Sequence, residues 1–233
     1  MGKHMTYVGI MRRIKEVFAT SGVPPSHRIE ILNLLLELGQ WLKANPFPIH
    51  FQSRHDLYRY LNNQIAANGP IDYLEFGVYQ GDAIKYWTDL NRHPDSRFYG
   101  FDTFEGLPED WRFFACIIPR GTWDTGGKPP EMQDTRVTFI KGVFQQTLPV
   151  FLKTYVPRNR LVINCDADLY TSTLYLLSTL NHLLSPGQIV IFDEFSTVYE
   201  FKAFRDFSGA FHRKYRLLAS SDQFCERAAL EFV

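Results

Sequence analysis

Two short stretches of the chain gather carboxylates directly after apolar runs. Asn164-Cys165-Asp166-Ala167-Asp168-Leu169-Tyr170 closes one run, and Ile191-Phe192-Asp193-Glu194-Phe195 closes another. If the two runs are neighbouring strands, Asp166, Asp168, Asp193 and Glu194 converge at their carboxyl ends. Four carboxylates in one crevice repel each other unless a cation or protons intervene. Hard oxygen donors in that number suit Mg²⁺, with Mn²⁺ or Ca²⁺ as alternatives. Asp166, Asp193 and Glu194 are the expected ligands. Asp168 sits two positions beyond Asp166, in a turn, and is free to act as a base. The competing reading makes these acids helix caps, with Asp168 or Thr171 opening the helix that follows.

A second constellation lies upstream. In Tyr73-Leu74-Glu75-Phe76-Gly77-Val78-Tyr79-Gln80-Gly81-Asp82 a strand ends in an acid and a glycine, turns, and opens a helix after a second glycine. Gly77 permits close backbone approach and Gly81 a tight entry into the helix. The spacing is G-x-x-x-G, with Tyr79 where a dinucleotide motif would place a middle glycine. That disfavours a cradle for pyrophosphate and suits an S-adenosylmethionine site. In Phe98-Tyr99-Gly100-Phe101-Asp102-Thr103-Phe104 an acid ends the next strand, 25 residues after Gly77. An acid there can accept both ribose hydroxyls. Taken alone it does not separate a nicotinamide dinucleotide from S-adenosylmethionine, nor either from a turn aspartate.

Other chemistries lack their residues. The histidines show no H-x-x-x-H or H-E-x-x-H, and none lies between His93 and His182. There is no G-x-S-x-G elbow and no P-loop. Cys116, Cys165 and Cys225 are odd in number and widely spaced, which disfavours a disulfide framework or a thiolate zinc site and points to a reducing cytoplasm. Lys+Arg and Asp+Glu both number 25, a zero balance that argues against nucleic-acid binding and against a polybasic membrane anchor. No stretch has the length of a membrane span, and the N-terminus reads as lacking a secretory signal. Yet the balance is local as well as global: from Leu161 to Phe201 the acids are Asp166, Asp168, Asp193, Glu194 and Glu200, with no Lys or Arg.

The elements that must position these residues are legible as periodicities. Strands are expected over Ile71–Val78, Arg97–Asp102, Val137–Lys141, Leu161–Cys165 and Gln188–Phe192, with two more near Tyr215–Ser220 and Arg227–Val233. Helices are expected between them, over Asp82–Leu90, Leu148–Tyr155, Thr171–Leu184 and Glu200–Lys214. Doubly apolar strands alternating with helices imply an α/β fold with a doubly wound, mostly parallel, seven-stranded sheet. Phe201, Phe204, Phe207 and Phe211 read as core. Ahead of Ile71 come three helical patterns: Thr6–Ala19, broken by Pro24-Pro25; Ser26 to about Ala44; and one capped by the Ser53/Asp56 pair. The expected organisation is a helical extension over 1–70 and a catalytic domain over 71–233. Thr103–Thr135, rich in Pro, Gly and Trp, is too long for a plain connection and reads as a lid, with Trp111 and Trp123 facing a substrate ring. The helices ahead of Ile71 offer exposed faces for a homo-oligomer.

YLEFGVYQGDA, FYGFDTFEGLPEDW, KGVFQQTLP, DADLYTST and PGQIVIFDEF, in this order, resemble the macrocin O-methyltransferase (TylF/MycF-type) family over roughly Ile71 to Phe207. The resemblance implies a class I, Rossmann-like S-adenosylmethionine-dependent O-methyltransferase, with Mg²⁺ in several members and sugar hydroxyls on antibiotics as acceptors. It places Glu75, Gly77 and Gly81 around the methionine portion of the cofactor, Asp102 on the ribose, and Gly142 with Phe144 near the adenine. Tyr79 and Thr103, inside the two motifs, complete the expected cofactor set. Asp166, Asp193 and Glu194 become metal ligands and Asp168 the base. The stretch from Trp111 to Thr135 departs from the family pattern, so the antibiotic-sugar substrates do not carry over with the fold. The acceptor is expected to be a hydroxyl of a small molecule, a sugar or glycosylated natural product, and a deoxysugar, a phenol or another polyol would each suit a Mg²⁺ site. A metal-independent methyltransferase and a non-catalytic nucleotide- or sugar-binding protein of the same fold are the alternatives. A nicotinamide oxidoreductase fits less well.

Overall fold

Period-two alternation along the apolar runs decides the architecture. A computed structural model describes Lys15 and residues 26–233, so the helix expected over Thr6–Ala19 and the Pro24-Pro25 break lie, Lys15 apart, outside the described residues. The helices are α1 (His27–Ala44), α2 (Arg54–Tyr60), α3 (Asp82–Leu90), α4 (Phe144–Phe151), α5 (Tyr170–Leu180) and α6 (Tyr199–Ala210). The strands are β1 (His50–Phe51), β2 (Ile71–Phe76), β3 (Arg97–Asp102), β4 (Trp111–Arg112), β5 (Ile117–Ile118), β6 (Val137–Lys141), β7 (Arg160–Cys165), β8 (Ile189–Phe192), β9 (Tyr215–Ser221) and β10 (Arg227–Phe232).

All seven expected strands join one sheet in the order β1-β9-β10-β8-β7-β2-β3-β6, with the two-residue β1 added as an eighth at the edge. The strands from β6 to β8 run parallel, and β10 is antiparallel to both its neighbours. Every residue of β2 is buried, as a central parallel strand requires. Alternate residues feed two cores. Leu74, Phe76, Ile163 and Phe192 meet α1, α4, α5 and α6 on one face, while Tyr73, Val162 and Ile191 meet α2 and α3 on the other. Phe201, Phe204 and Phe207 are core; Phe211 is 43% exposed because α6 ends one residue earlier.

Some element ends differ from expectation. The Ser53/Asp56 pair caps α2 as anticipated: Ser53 Oγ accepts from the Asp56 N–H at 3.3 Å and donates to Asp56 Oδ2 at 2.7 Å. Ser26 precedes α1 in extended conformation, but its side chain makes no capping bond. α4 begins at Phe144, four residues early, since the chain turns at Gly142 straight out of β6 and the Gln146 and Thr147 N–H groups already bond to the Val143 carbonyl. No helix among the described residues is long and apolar enough to cross a membrane.

Candidate active site

The sheet order reverses between β2 and β7. From β2 the chain winds outward to β3 and β6, then returns to β7 on the other side. A crevice opens at the carboxyl ends of strands where the winding direction switches. Single hydrogen bonds prolong the ladder there: Asp166 N–H to the Phe76 carbonyl at 2.9 Å, Gly77 N–H to Phe101 at 2.9 Å, and Asp193 N–H to Cys165 at 2.8 Å. These bonds bring the Gly77 turn, the Asp166 loop and the Asp193 loop side by side. A Cβ on Gly77, whose φ is +93°, would lie 1.7 Å from the Asp166 carbonyl oxygen. What Gly77 must accommodate first is the neighbouring loop.

The crevice contains a cavity of about 310 Å³. Of the expected cofactor residues, Gly77, Tyr79, Asp102, Thr103 and Phe144 line it. Glu75, Gly81 and Gly142 do not: Glu75 is buried behind the turn, and Gly81 starts α3, where a Cβ would meet Pro130 of the 103–135 segment at 2.8 Å. Asp102 is already at work on the backbone. Its Oδ2 accepts from the Val78 and Tyr79 N–H groups, both at 2.8 Å, and its Oδ1 from Phe104 N–H at 2.8 Å. It ties the glycine turn to the start of the 103–135 segment and keeps lone pairs for a further donor.

The acidic residues meet as expected. Asp166, Asp168, Asp193 and Glu194 all line the cavity. Asp168 has φ +58° and centres a three-residue turn closed by Leu169 N–H to the Ala167 carbonyl at 2.5 Å. Strain of this kind collects at functional sites and aims this side chain at the cavity. Burial, then the charge of Asp193, drives Asp166 well above the ordinary carboxylate range. The same two causes raise Asp168 to about 7 and Glu194 to about 8. Among the described residues, no three His, Cys, Asp or Glu side chains form a ready-made metal cage. Asp193 is held from both sides: Arg227 donates to its Oδ1 through Nε at 2.8 Å and to its Oδ2 through Nη2 at 3.0 Å, and Tyr58 donates to Oδ1 at 3.3 Å.

A family model for macrocin-O-methyltransferase (TylF) matches residues 128–221. The chain is also 31% identical over 177 residues to an 8-demethyl-8-(2,3-dimethoxy-alpha-L-rhamnosyl)-tetracenomycin-C 4'-O-methyltransferase of Streptomyces olivaceus, with 68% of this chain covered. On both comparisons the chain is similar to the macrocin O-methyltransferase family. The alignment takes in 66% of the Streptomyces protein, slightly less than two thirds of its length. Among solved structures, the O-methyltransferase NovP aligns with a TM-score of 0.59 at 22% identity, over 76% of this chain and 78% of that one. The calicheamicin methyltransferase CalS11 aligns at 0.56 and 23% over 98% and 94%. A Mg-SAM structure of cmcI aligns at 0.51 and 19% over 78% and 72%. These likenesses establish a class I methyltransferase fold.

The segment 103–135 contributes one wall of the cavity. The β4–β5 hairpin buries Trp111 against Leu107 and Leu169, and Trp123, 37% exposed, lies with its ring centre 5.9 Å from that of Trp111. Both tryptophans line the cavity. Three site residues escape a reading of the sequence. Arg54 and Arg227 line the cavity from elements far apart in the chain. Glu200, fully buried on α6, accepts from Ala167 N–H at 3.3 Å and from Glu194 N–H at 2.9 Å, fastening both acidic loops to one helix. The one signal for Glu200 was its place in the base-free stretch.

Proposed function

We propose that the protein is an S-adenosylmethionine-dependent O-methyltransferase acting on a hydroxyl of a small molecule, a sugar or glycosylated natural product. The observation that carries this reading is one cavity lined both by the nucleoside-type residues Gly77, Tyr79 and Asp102 and by four clustered acids. The family and the rhamnose-modifying relative supply the acceptor class. Residues 71–233 would form the methyltransferase domain, 103–135 its lid and 1–70 a helical extension. Zero net charge and free thiols at Cys116, Cys165 and Cys225 suit a cytoplasmic enzyme with no nucleic-acid or membrane partner. Ile29, Leu32, Leu35 and Leu36, all exposed on α1, suit a homo-oligomer.

The donor set fits a hard divalent cation. Of the four clustered acids Arg227 pairs only with Asp193, leaving Asp166, Asp168 and Glu194 in excess. Asp166, Asp193 and Glu194 would hold Mg²⁺. When bound, the cofactor offers a methyl group on a sulfonium, and the cation makes the acceptor hydroxyl more acidic. Asp168 takes the hydroxyl proton. Trp111 and Trp123 hold the acceptor ring and keep water out, while Asp102 fixes the nucleoside end and Gly77 the methionine end, so that oxygen and methyl meet in line.

The test is turnover of S-adenosylmethionine to S-adenosylhomocysteine with a rhamnosylated polyketide, read by mass spectrometry. Asp168→Asn should lower kcat by about 10²–10⁴-fold and still bind S-adenosylhomocysteine, in line with the loss of a general base. An active Asp168→Asn enzyme would remove Asp168 from this role. A metal-independent methyltransferase is the second reading, favoured by the Arg227 fork already on Asp193. Dialysis against a chelator separates the two: the Mg²⁺ reading expects activity to vanish and return on adding the ion.

A further inference from the structure

Asp102, Asp166, Asp168, Asp193 and Glu194 face the cavity, and the only cations among its lining residues are Arg54 and Arg227. Arg227 is fully engaged. Its fork holds Asp193, and its Nη1 donates to Asp222 at 3.0 Å and Glu226 at 3.1 Å. Arg54 is not engaged. It is the first residue of α2, half-buried, and its guanidinium has no hydrogen bond or ion pair among the described residues. Its planar fork of five donors lines the cavity uncommitted, and it matches a carboxylate.

The surroundings say which end of the cavity Arg54 serves. Burial raises the Glu75 carboxyl, and the Arg54 charge is close enough to oppose that rise. Glu75 lies two residues before Gly77, where the glycine turn begins. α2 is itself anchored over the acids, since Tyr58, one turn along, donates to Asp193 at 3.3 Å. S-adenosylmethionine has one anionic group, the carboxylate of its methionine portion. Entering a cavity with this excess of acids, that carboxylate needs a cation, and Arg54 is the one not already committed.

We propose that Arg54 binds the methionine carboxylate of S-adenosylmethionine, an assignment that rests on the methyltransferase reading of the cavity. The experiment is calorimetric titration of the wild type, Arg54→Ala and Arg54→Lys with S-adenosylhomocysteine and with 5′-methylthioadenosine. The second ligand keeps the adenosine and the thioether but lacks the amino-acid end. Arg54→Ala should weaken S-adenosylhomocysteine about 10- to 100-fold and leave 5′-methylthioadenosine unchanged, with Arg54→Lys in between. Unaltered 5′-methylthioadenosine binding also shows that the variant is folded. Equal affinity of wild type and Arg54→Ala for S-adenosylhomocysteine, or an equal loss for both ligands, overturns the assignment while the methyltransferase reading stands. If S-adenosylhomocysteine affinity is kept and only the KM for the acceptor rises, the guanidinium serves an anion on the acceptor and the assignment again falls. If the wild type binds neither ligand, both readings fall together.

Discussion

Burial drives the Glu75 carboxyl up to about 8, against a hydrogen bond from the Tyr73 hydroxyl at 2.5 Å that favours the charged form. The folded protein therefore keeps a proton on Glu75 between about 4.5 and 8 that the unfolded chain has lost. A raised carboxyl stabilises the fold at low pH, and that stability drains away as pH rises through this window. Glu75→Gln cannot lose the proton. Thermal denaturation should show the variant's Tm gaining on the wild type from pH 4.5 to pH 8 and levelling off above it. Asp168 and Glu194 also titrate there, but they are present in both proteins and drop out of the difference. A Tm difference that is flat with pH would show that burial does not govern Glu75. The position of Glu75 was plain from its motif; its role was not. It lies behind the turn as a buried acid rather than in the cavity wall.

At the scale of elements, the two acidic loops are set by their strands and locked by α6. The strand ends are legible because doubly apolar runs followed by acids have few other uses in a parallel sheet. The lock is not, since it depends on where α6 packs. Val198, a β-branched residue with φ +76°, turns the chain into α6 so that Glu200 reaches back to the Ala167 and Glu194 N–H groups. Arg227 is hidden for a similar reason. It reaches Asp193 because β10 pairs antiparallel with β8 in the register Ala228 to Phe192, a register no local pattern announces. Glu200→Ala leaves the buried Ala167 N–H and the half-buried Glu194 N–H without this acceptor, at up to about 1–3 kcal/mol each. The expected result is a lower Tm together with a kcat loss larger than the change in S-adenosylhomocysteine affinity, because the acids move and the nucleoside end does not. If Tm falls and kcat at low temperature is unchanged, Glu200 is structural only.

Across the whole molecule, the two ends of the sheet carry different burdens. The carboxyl ends hold the strained Tyr79, Phe104, Asp168 and Val198, the clustered acids and the cavity. Near the amino ends, Asp72 is fully buried at the start of β2 and every bond it makes is structural. It forms a forked ion pair with Arg97 of β3. It also accepts from the Tyr155 hydroxyl at 3.1 Å, Arg158 N–H at 2.9 Å and Asn159 Nδ2 at 2.9 Å. One carboxylate thus ties β2 to β3 and to the connection entering β7, the same strands whose far ends build the site. Removing one partner of a buried pair costs about 3–5 kcal/mol, and about 2–4 °C per kcal/mol applies to a domain of this size. Asp72→Ala should therefore lose on the order of 10 °C in Tm. Well below that Tm it should bind S-adenosylhomocysteine like the wild type. Asp102→Ala, whose carboxylate pins the glycine turn at the other end, should weaken that binding more than it lowers Tm. Calorimetry and thermal melts on both variants decide the matter. An Asp72→Ala protein that binds as poorly as Asp102→Ala at low temperature would mean the sheet transmits disorder along its whole length, and that stability and site cannot be assigned to separate ends.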